Sequence, residues 1–277
     1  DDFMIGNMLT YIKPIIKDFI PPIFFKAYQQ IRCSHYGLFG NYPSWEAAMK
    51  DAVGYDSDVI INQVRDSLLK VKEGKAIGEK DSCLFEKIQY SWPVLAGLLR
   101  IASIKGNKLS VLDFGGSLGS YYYQLRHFLS DLDELRWSIV EQEKFVRCGQ
   151  ELFENNQLKF YYDIETCLIE ENPDVILFSG LIQYLPYPYG FLENLVKYNF
   201  EYIIFDRTPF IEGGQERLTV QKVHPSIYEA SMPAYFFNQD KFLSCLDKFY
   251  DLLVEFESQD KVNIPSQFKG FILKKQQ

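Results

Sequence analysis

Apolar and polar positions follow two rhythms along this chain, one up to about residue 105 and another from residue 109 onward. In the first part the apolar positions recur at helical spacing. Ile12, Ile15, Ile16, Phe19 and Ile20 make one short apolar face. Pro21-Pro22 interrupts it, and Ile23, Phe24, Ala27, Tyr28 and Ile31 begin another. Ser44 has the chemistry of an N-cap for the WEAAMKDAV run that follows, and Asp56 or Ser57 caps the next helix. That helix carries Val59, Ile60, Val64, Leu68 and Leu69 on one face and ends near Gly74. A third helix is predicted from about Ser82 to Ser103, kinked or divided at Pro93. Residues 1–105 therefore read as a helical arm and cap, and residues 106–277 as a second domain.

From residue 109 short apolar runs alternate with amphipathic ones. Strands are predicted at Leu109–Phe114, Arg136–Glu141, Leu158–Tyr162, Asp174–Ser179, Tyr202–Asp206, Leu252–Glu257 and Gly270–Lys274. Helices are predicted at Tyr121–Leu129, Phe145–Asn155, Phe191–Lys197 and Asp240–Phe249. The run DVILFS (174–179) is almost wholly apolar, as a strand buried on both faces must be. Alternation of this kind means an α/β fold: a doubly wound sheet with helices on both faces.

The first of these strands runs into a turn rich in glycine, Asp113-Phe-Gly115-Gly116-Ser117-Leu-Gly119. Strand, glycine turn and helix are how a nucleotide-binding unit begins, because glycine lets the backbone turn at positive φ and approach a ligand closely. Ser117 stands where a middle glycine is usual. Glu141 closes the next strand at the distance where a ribose-binding carboxylate belongs, and a carboxylate accepts from both ribose hydroxyls. The loop has no GK[ST] and so is no triphosphate loop. Asp113 beside it repels a pyrophosphate and suits a ligand with an amino acid end. That combination favours S-adenosylmethionine (SAM) over a dinucleotide.

Composition narrows the partners. Hydrophobic residues make up 47% of the 277, enough for a sizeable core. The net charge of −8, with no offsetting basic stripe, argues against nucleic acid. The basic corner is Tyr11–Arg32, with Lys13, Lys17, Lys26 and Arg32 against Asp18. Residues 9–32 fit a helix pair lying on a membrane surface, or an arm packed on its own domain or on a second subunit. Five scattered cysteines without a CxxC pair (Cys33, Cys83, Cys148, Cys167, Cys245) fit reduced thiols of the cytoplasm. Acids and histidines do not cluster at metal-ligand spacing.

With its Glu141-terminated second strand, the chain resembles a class I SAM-dependent methyltransferase. More closely, GYDSD (54–58), EKDSCLFEKIQYSWP (79–93), VLDFGGSLGS, LFSGLIQYLPYP (177–188), FDRTPF (205–210) and YEASMPAYFF (228–237) are similar to a bacterial family of inferred methyltransferases often associated with surface-polysaccharide gene clusters. The resemblance spans about residues 36–275. It implies a Rossmann-like sheet of seven strands with an antiparallel last strand and an N-terminal helical extension, with SAM as cofactor. It assigns Asp113, Gly115, Gly116, Ser117 and Gly119 to the cofactor loop, and Glu141 with Gln142 to the ribose. Asp163 is assigned to the adenine amine with Ile164 flanking the ring, and Ser179 and Gly180 to the methionine end.

The acceptor side belongs beyond the C-terminal ends of the strands. Candidates are Gln183, which is also counted with the cofactor residues, Tyr184, Asp206, Arg207 and His224. An oxygen acceptor benefits from a general base, which histidine supplies. His224 is that base or a loop histidine serving a local hydrogen bond. Asp206 and Arg207 serve the acceptor or pair with each other. The expected activity is O-methylation of a saccharide or surface-polysaccharide precursor. The alternative is a methyltransferase-fold binding or scaffold module in polysaccharide assembly.

Overall fold

The computed structural model describes residues 36–53, 57–80, 83–85, 88, 90–211, 215–224 and 230–276. The expected arm at 9–32, with its proposed membrane contact, lies outside them. Among the described residues no helix is long and apolar enough to cross a membrane. Leu38–Gln277 forms one compact unit, so residues 38–105 belong to the same body as the sheet.

The cap comprises β1 (Gly37–Phe39), α1 (Trp45–Asp51), α2 (Ser57–Lys72), β2 (Gly78–Lys80), β3 (Cys83–Phe85) and α3 (Trp92–Ile104). Ser44 caps α1 as its type predicts, its hydroxyl accepting from the Ala47 amide at 3.2 Å. The expected third helix is corrected. The stretch 83–85 is a strand paired with β2, and the helix starts only at Trp92. Pro93 sits in its first turn, where a missing N–H costs nothing. Proline there starts the helix instead of kinking it.

The main body follows as β4 (Lys108–Phe114), α4 (Ser120–Leu125), β5 (Glu134–Val140), α5 (Glu143–Leu152), β6 (Leu158–Tyr161), α6 (Ile164–Glu171), β7 (Val175–Ser179), α7 (Pro188–Leu195) and β8 (Tyr202–Ile211). It ends with β9 (Arg217–Lys222), β10 (Ser231–Phe236), α8 (Gln239–Ser244), β11 (Tyr250–Glu257) and β12 (Ser266–Lys275). Seven strands form one sheet in the order β11-β12-β8-β7-β4-β5-β6. β4 to β8 pair in parallel, and β12 runs antiparallel to both β8 and β11. The fold is thus the expected doubly wound, Rossmann-like seven-stranded sheet with an antiparallel last strand.

Strand periodicity explains the two cores. Val111, Trp137, Ile139, Val175, Leu177 and Ile204 face one helix layer. Their alternate neighbours Leu112, Val140, Ile176, Phe178, Ile203 and Phe205 face the other. Each such side chain contributes about 1.5–3 kcal/mol by burial, so the central strands must be apolar throughout. β4 is the switch point, with β5 and β6 on one side and β7 and β8 on the other. A cleft opens there, beyond the C-terminal ends of the strands.

The chain after β8 departs from expectation. A second sheet, β1-β9-β10, fills the segment between β8 and α8. Leu218 and Val220 alternate inward, but Pro233 masks the strand signal in β10. Proline is tolerated because β10 is an edge strand.

Candidate functional site

The cleft has a volume of about 810 Å³, within the ~300–1,000 Å³ of small-molecule sites. One wall is the glycine loop. Gly115, Ser117 and Gly119 have φ of 74°, 56° and 104°, so every second residue is left-handed. Ser117 holds the conformation that a glycine would hold there. The loop is tied at both flanks. Gly115 N donates to Val140 O at 2.9 Å, and Gly119 N donates to Gly116 O at 3.0 Å. A β-carbon on Gly115 would meet Leu181 at 2.6 Å, and one on Gly116 would meet the Asp113 carboxylate at 2.5 Å. The loop can therefore lie flat over both.

Asp113 points to the same face as Trp137, and Trp137 Nε1 donates to its Oδ2 at 3.2 Å. The carboxyl is 2% exposed. Burial, opposed by the Trp137 bond and reinforced by the Glu141 charge, pushes it up to about 7. Glu141 follows β5 directly. Its carboxylate accepts from Gln142 N at 2.7 Å and from the backbone of Ser117. Burial pushes Glu141 upward, and these amides partly offset that. Gln142 and Phe145 continue the wall beyond it.

Ser179, Gly180, Leu181, Gln183, Tyr184, Asp206 and Arg207 also line the cleft. Asp206 is buried at the point where β8 bulges. Asp206 and Arg207 together face Gly270, since Phe205 pairs with Phe271 and Thr208 with Lys269. Arg207 takes φ of 57°. Such bulges re-aim side chains. Asp206 Oδ2 accepts from the Tyr121 hydroxyl and from Ser179 Oγ at 3.3 Å, and Oδ1 accepts from Ser258 Oγ at 3.0 Å. Burial and the Asp206 charge hold the Tyr121 phenol well above its ordinary range, so it is protonated and donating. Arg207 Nε donates to both oxygens of Asp260, at 3.2 and 3.1 Å. Of the two readings left open, the ion pair of Arg207 is made with Asp260, and both Asp206 and Arg207 line the cleft. Gln183 is 5% exposed, and its Oε1 has no hydrogen-bond partner among the described residues. Tyr184 donates to Gln221 Oε1 at 2.5 Å.

The structure brings together Asp113, Gly115, Gly116, Ser117, Glu141, Gln142, Ser179, Gly180, Gln183, Tyr184, Asp206 and Arg207. Three expected site residues lie outside the cleft lining. Asp163 caps α6, accepting from Thr166 N at 2.7 Å, and is not in the cleft wall. Ile164 is buried in the core below. His224 lies just past β9 and is not among the lining residues, although its neighbour Val223 is. Gly119 contributes backbone geometry, and a β-carbon on it would lie 3.3 Å from Leu158 and 3.4 Å from Ile139. Sequence reasoning missed Glu79, Ser258 and Asp260, and read Tyr121 as the start of a helix. Tyr121 is in the wall, whereas Tyr122 and Tyr123 are buried in the core.

No family model and no curated protein matches the chain. Solved structures resemble it at low identity. The N-terminal domain of EvdMO1, solved with S-adenosylhomocysteine (SAH) and D-fucose, is 14% identical, with 80% of this chain and 98% of that chain covered and a TM-score of 0.45. A SAM-dependent methyltransferase from Clostridium acetobutylicum is 10% identical over 68% and 92% of the two chains, with a TM-score of 0.44. The 1,6-didemethyltoxoflavin-N1-methyltransferase of Burkholderia thailandensis is 13% identical over 82% and 95%, with a TM-score of 0.42.

Proposed function

We propose that the cleft binds SAM and that the protein is a methyltransferase acting on an oxygen of a saccharide or surface-polysaccharide precursor. The observation that carries this reading is the glycine loop: alternate left-handed residues at the switch point, tied by Glu141 at the end of the next strand. The donor set suits the cofactor. Glu141 only accepts hydrogen bonds when ionised, as a ribose diol requires. Phe145 offers an apolar surface for a base, and Asp113 offers negative charge for an amino acid end. When bound, SAM supplies an electrophilic methyl group on a sulfonium centre.

The chain's own residues supply the proton acceptor. Tyr121 is on the cleft wall with its phenol donating to Asp206. An acceptor hydroxyl that binds there gives its proton to the phenol oxygen while Tyr121 passes its own to Asp206. Ser179 and Ser258 hold the carboxylate in place. This gives the role expected of His224 to Asp206. The polar layer of Gln183, Tyr184 and Gln221 beside the aromatic surface of Tyr235 suits a hydroxylated ring.

Isothermal titration with SAM tests the cofactor. Binding that is abolished in Glu141→Ala supports it, and absence of binding to the intact protein overturns it. Transfer of radiolabelled methyl from SAM to saccharides tests the reaction, with Asp206→Asn and Tyr121→Phe expected to lower turnover by about 10²-fold or more while retaining SAH binding. SAM binding without transfer to any acceptor supports instead the binding module, which the absence of His224 from the cleft wall favours.

A further inference from the structure

Glu79 is a glutamate of the cap, 1% exposed, that nevertheless lines the cleft. It is carried there by β2, which lies across α4. Gln124 Nε2 donates to Glu79 O at 3.0 Å, and Ser120 Oγ donates to Glu79 Oε2 at 2.5 Å. Both partners belong to the helix that begins where the glycine loop ends. Beside Glu79, Gly78 packs under Ile88, where a β-carbon would come within 2.8 Å. Glu79 is thus tied to α4 twice, through its own backbone carbonyl and through its carboxylate.

We propose that Glu79 receives the ammonium group of the cofactor's amino acid end, so that the cap completes the cofactor site. The proposal rests on the methyltransferase reading. Glu141 claims the ribose, and Gln142 and Phe145 extend from it toward the base. The amino acid end therefore lies toward Asp113, Ser179 and the start of α4. Asp113 is poorly placed to serve it alone, since its carboxyl is packed beneath Gly116 and takes the Trp137 N–H. An ammonium has three donors and needs several acceptors. Glu79 supplies a second carboxylate in the cleft lining, and a charge-assisted bond to it is about twice as strong as a neutral one.

The test compares three ligands: SAM, SAH and 5′-methylthioadenosine, which has no amino acid end. By isothermal titration, Glu79→Gln is expected to weaken SAM and SAH each by about ten-fold or more, the size of one charge-assisted contact. It should leave methylthioadenosine within about two-fold. Equal loss for all three ligands makes Glu79 a structural residue and overturns the proposal. Loss for SAM alone means that it reads the sulfonium, and no loss means that it reads neither; both overturn it. A second arm needs no variant of the buried carboxyl. In the intact protein an SAH analogue lacking only its amino group should bind about ten-fold more weakly than SAH, and in Ser120→Ala that gap should shrink. An undiminished gap in Ser120→Ala counts against Glu79. If the intact protein binds no SAM, the methyltransferase reading itself has failed.

Discussion

The carboxyl group of Asp113 lies directly beneath Gly116, so close that a β-carbon on Gly116 would come within 2.5 Å of its Cγ. The two residues share one space: the loop can lie low only because position 116 has no side chain and Asp113 fills the gap below. Gly116→Ala is expected to cost about 1–3 kcal/mol, as overpacking does, although Gly116 has no positive φ that only glycine could hold. The double variant Asp113→Ala, Gly116→Ala should recover part of that loss. Chemical denaturation of the four proteins gives the coupling energy, and strict additivity would show that the two groups do not compete.

The same burial sets a pH dependence. Asp113 is raised from 3.8 to about 7. A carboxyl raised on folding contributes stability that is fully present below the unfolded value and is lost as pH rises through the folded one. Stability of the ligand-free protein should therefore fall between about pH 4 and pH 7, by up to about 4 kcal/mol from this group. Asp113→Asn should flatten that slope. Binding of a cationic cofactor should favour the ionised form, release protons near pH 7 and tighten as pH rises toward it. Calorimetry in two buffers of different ionisation enthalpy measures the release.

Ser117 holds a left-handed backbone at φ of 56°, a conformation costing a residue with a β-carbon about 1–2 kcal/mol. Replacing it by glycine removes that cost but adds about 0.4–1 kcal/mol of chain entropy in the unfolded state. Ser117→Gly should thus raise stability by up to about 1 kcal/mol, and Ser117→Val should lower it, because β-branched residues fit this region worst. Thermal melts of both check the order. SAH affinity should be kept in the glycine variant, since the loop already has the geometry that glycine would give.

The limits of sequence reading are physical. Val175–Ser179 was legible as a central strand because both its faces are buried, which forces an apolar run. Asp113 and Glu141 were legible because chain order fixes their spacing around one strand–turn–helix unit. Glu79 was not, since its place depends on a hairpin docking against Ser120, 41 residues away. Asp163 shows two readings of one signal: a carboxylate after a strand suits a ligand, but three residues before Thr166 it also suits a helix cap, and the local bond prevails. Pro93 shows that a helix breaker and a helix starter are one residue read in different registers. The partner of Arg207 was not legible, because it depends on a bulge at 206–207 that no sequence pattern marks and on Asp260, 53 residues away.

Gln183 connects the stability of the protein to its ligand. Its Oε1 is buried without a hydrogen-bond partner among the described residues, although the side chain lines the cleft. Leaving such an acceptor unsatisfied costs about 1–3 kcal/mol. Methionine has a similar length and no such acceptor, so Gln183→Met should raise the stability of the ligand-free protein by about 1 kcal/mol, a shift of about 2 °C or more in the midpoint. The same change should weaken any ligand that donates a hydrogen bond there, and a site built to receive a hydroxyl loses far more than a site that only packs against one. The expected signature is opposite movement: a higher melting point and lower methyl-transfer turnover in one variant, with SAH affinity little changed. A lower melting point in Gln183→Met would show that the amide nitrogen, not the orphaned oxygen, governs this position.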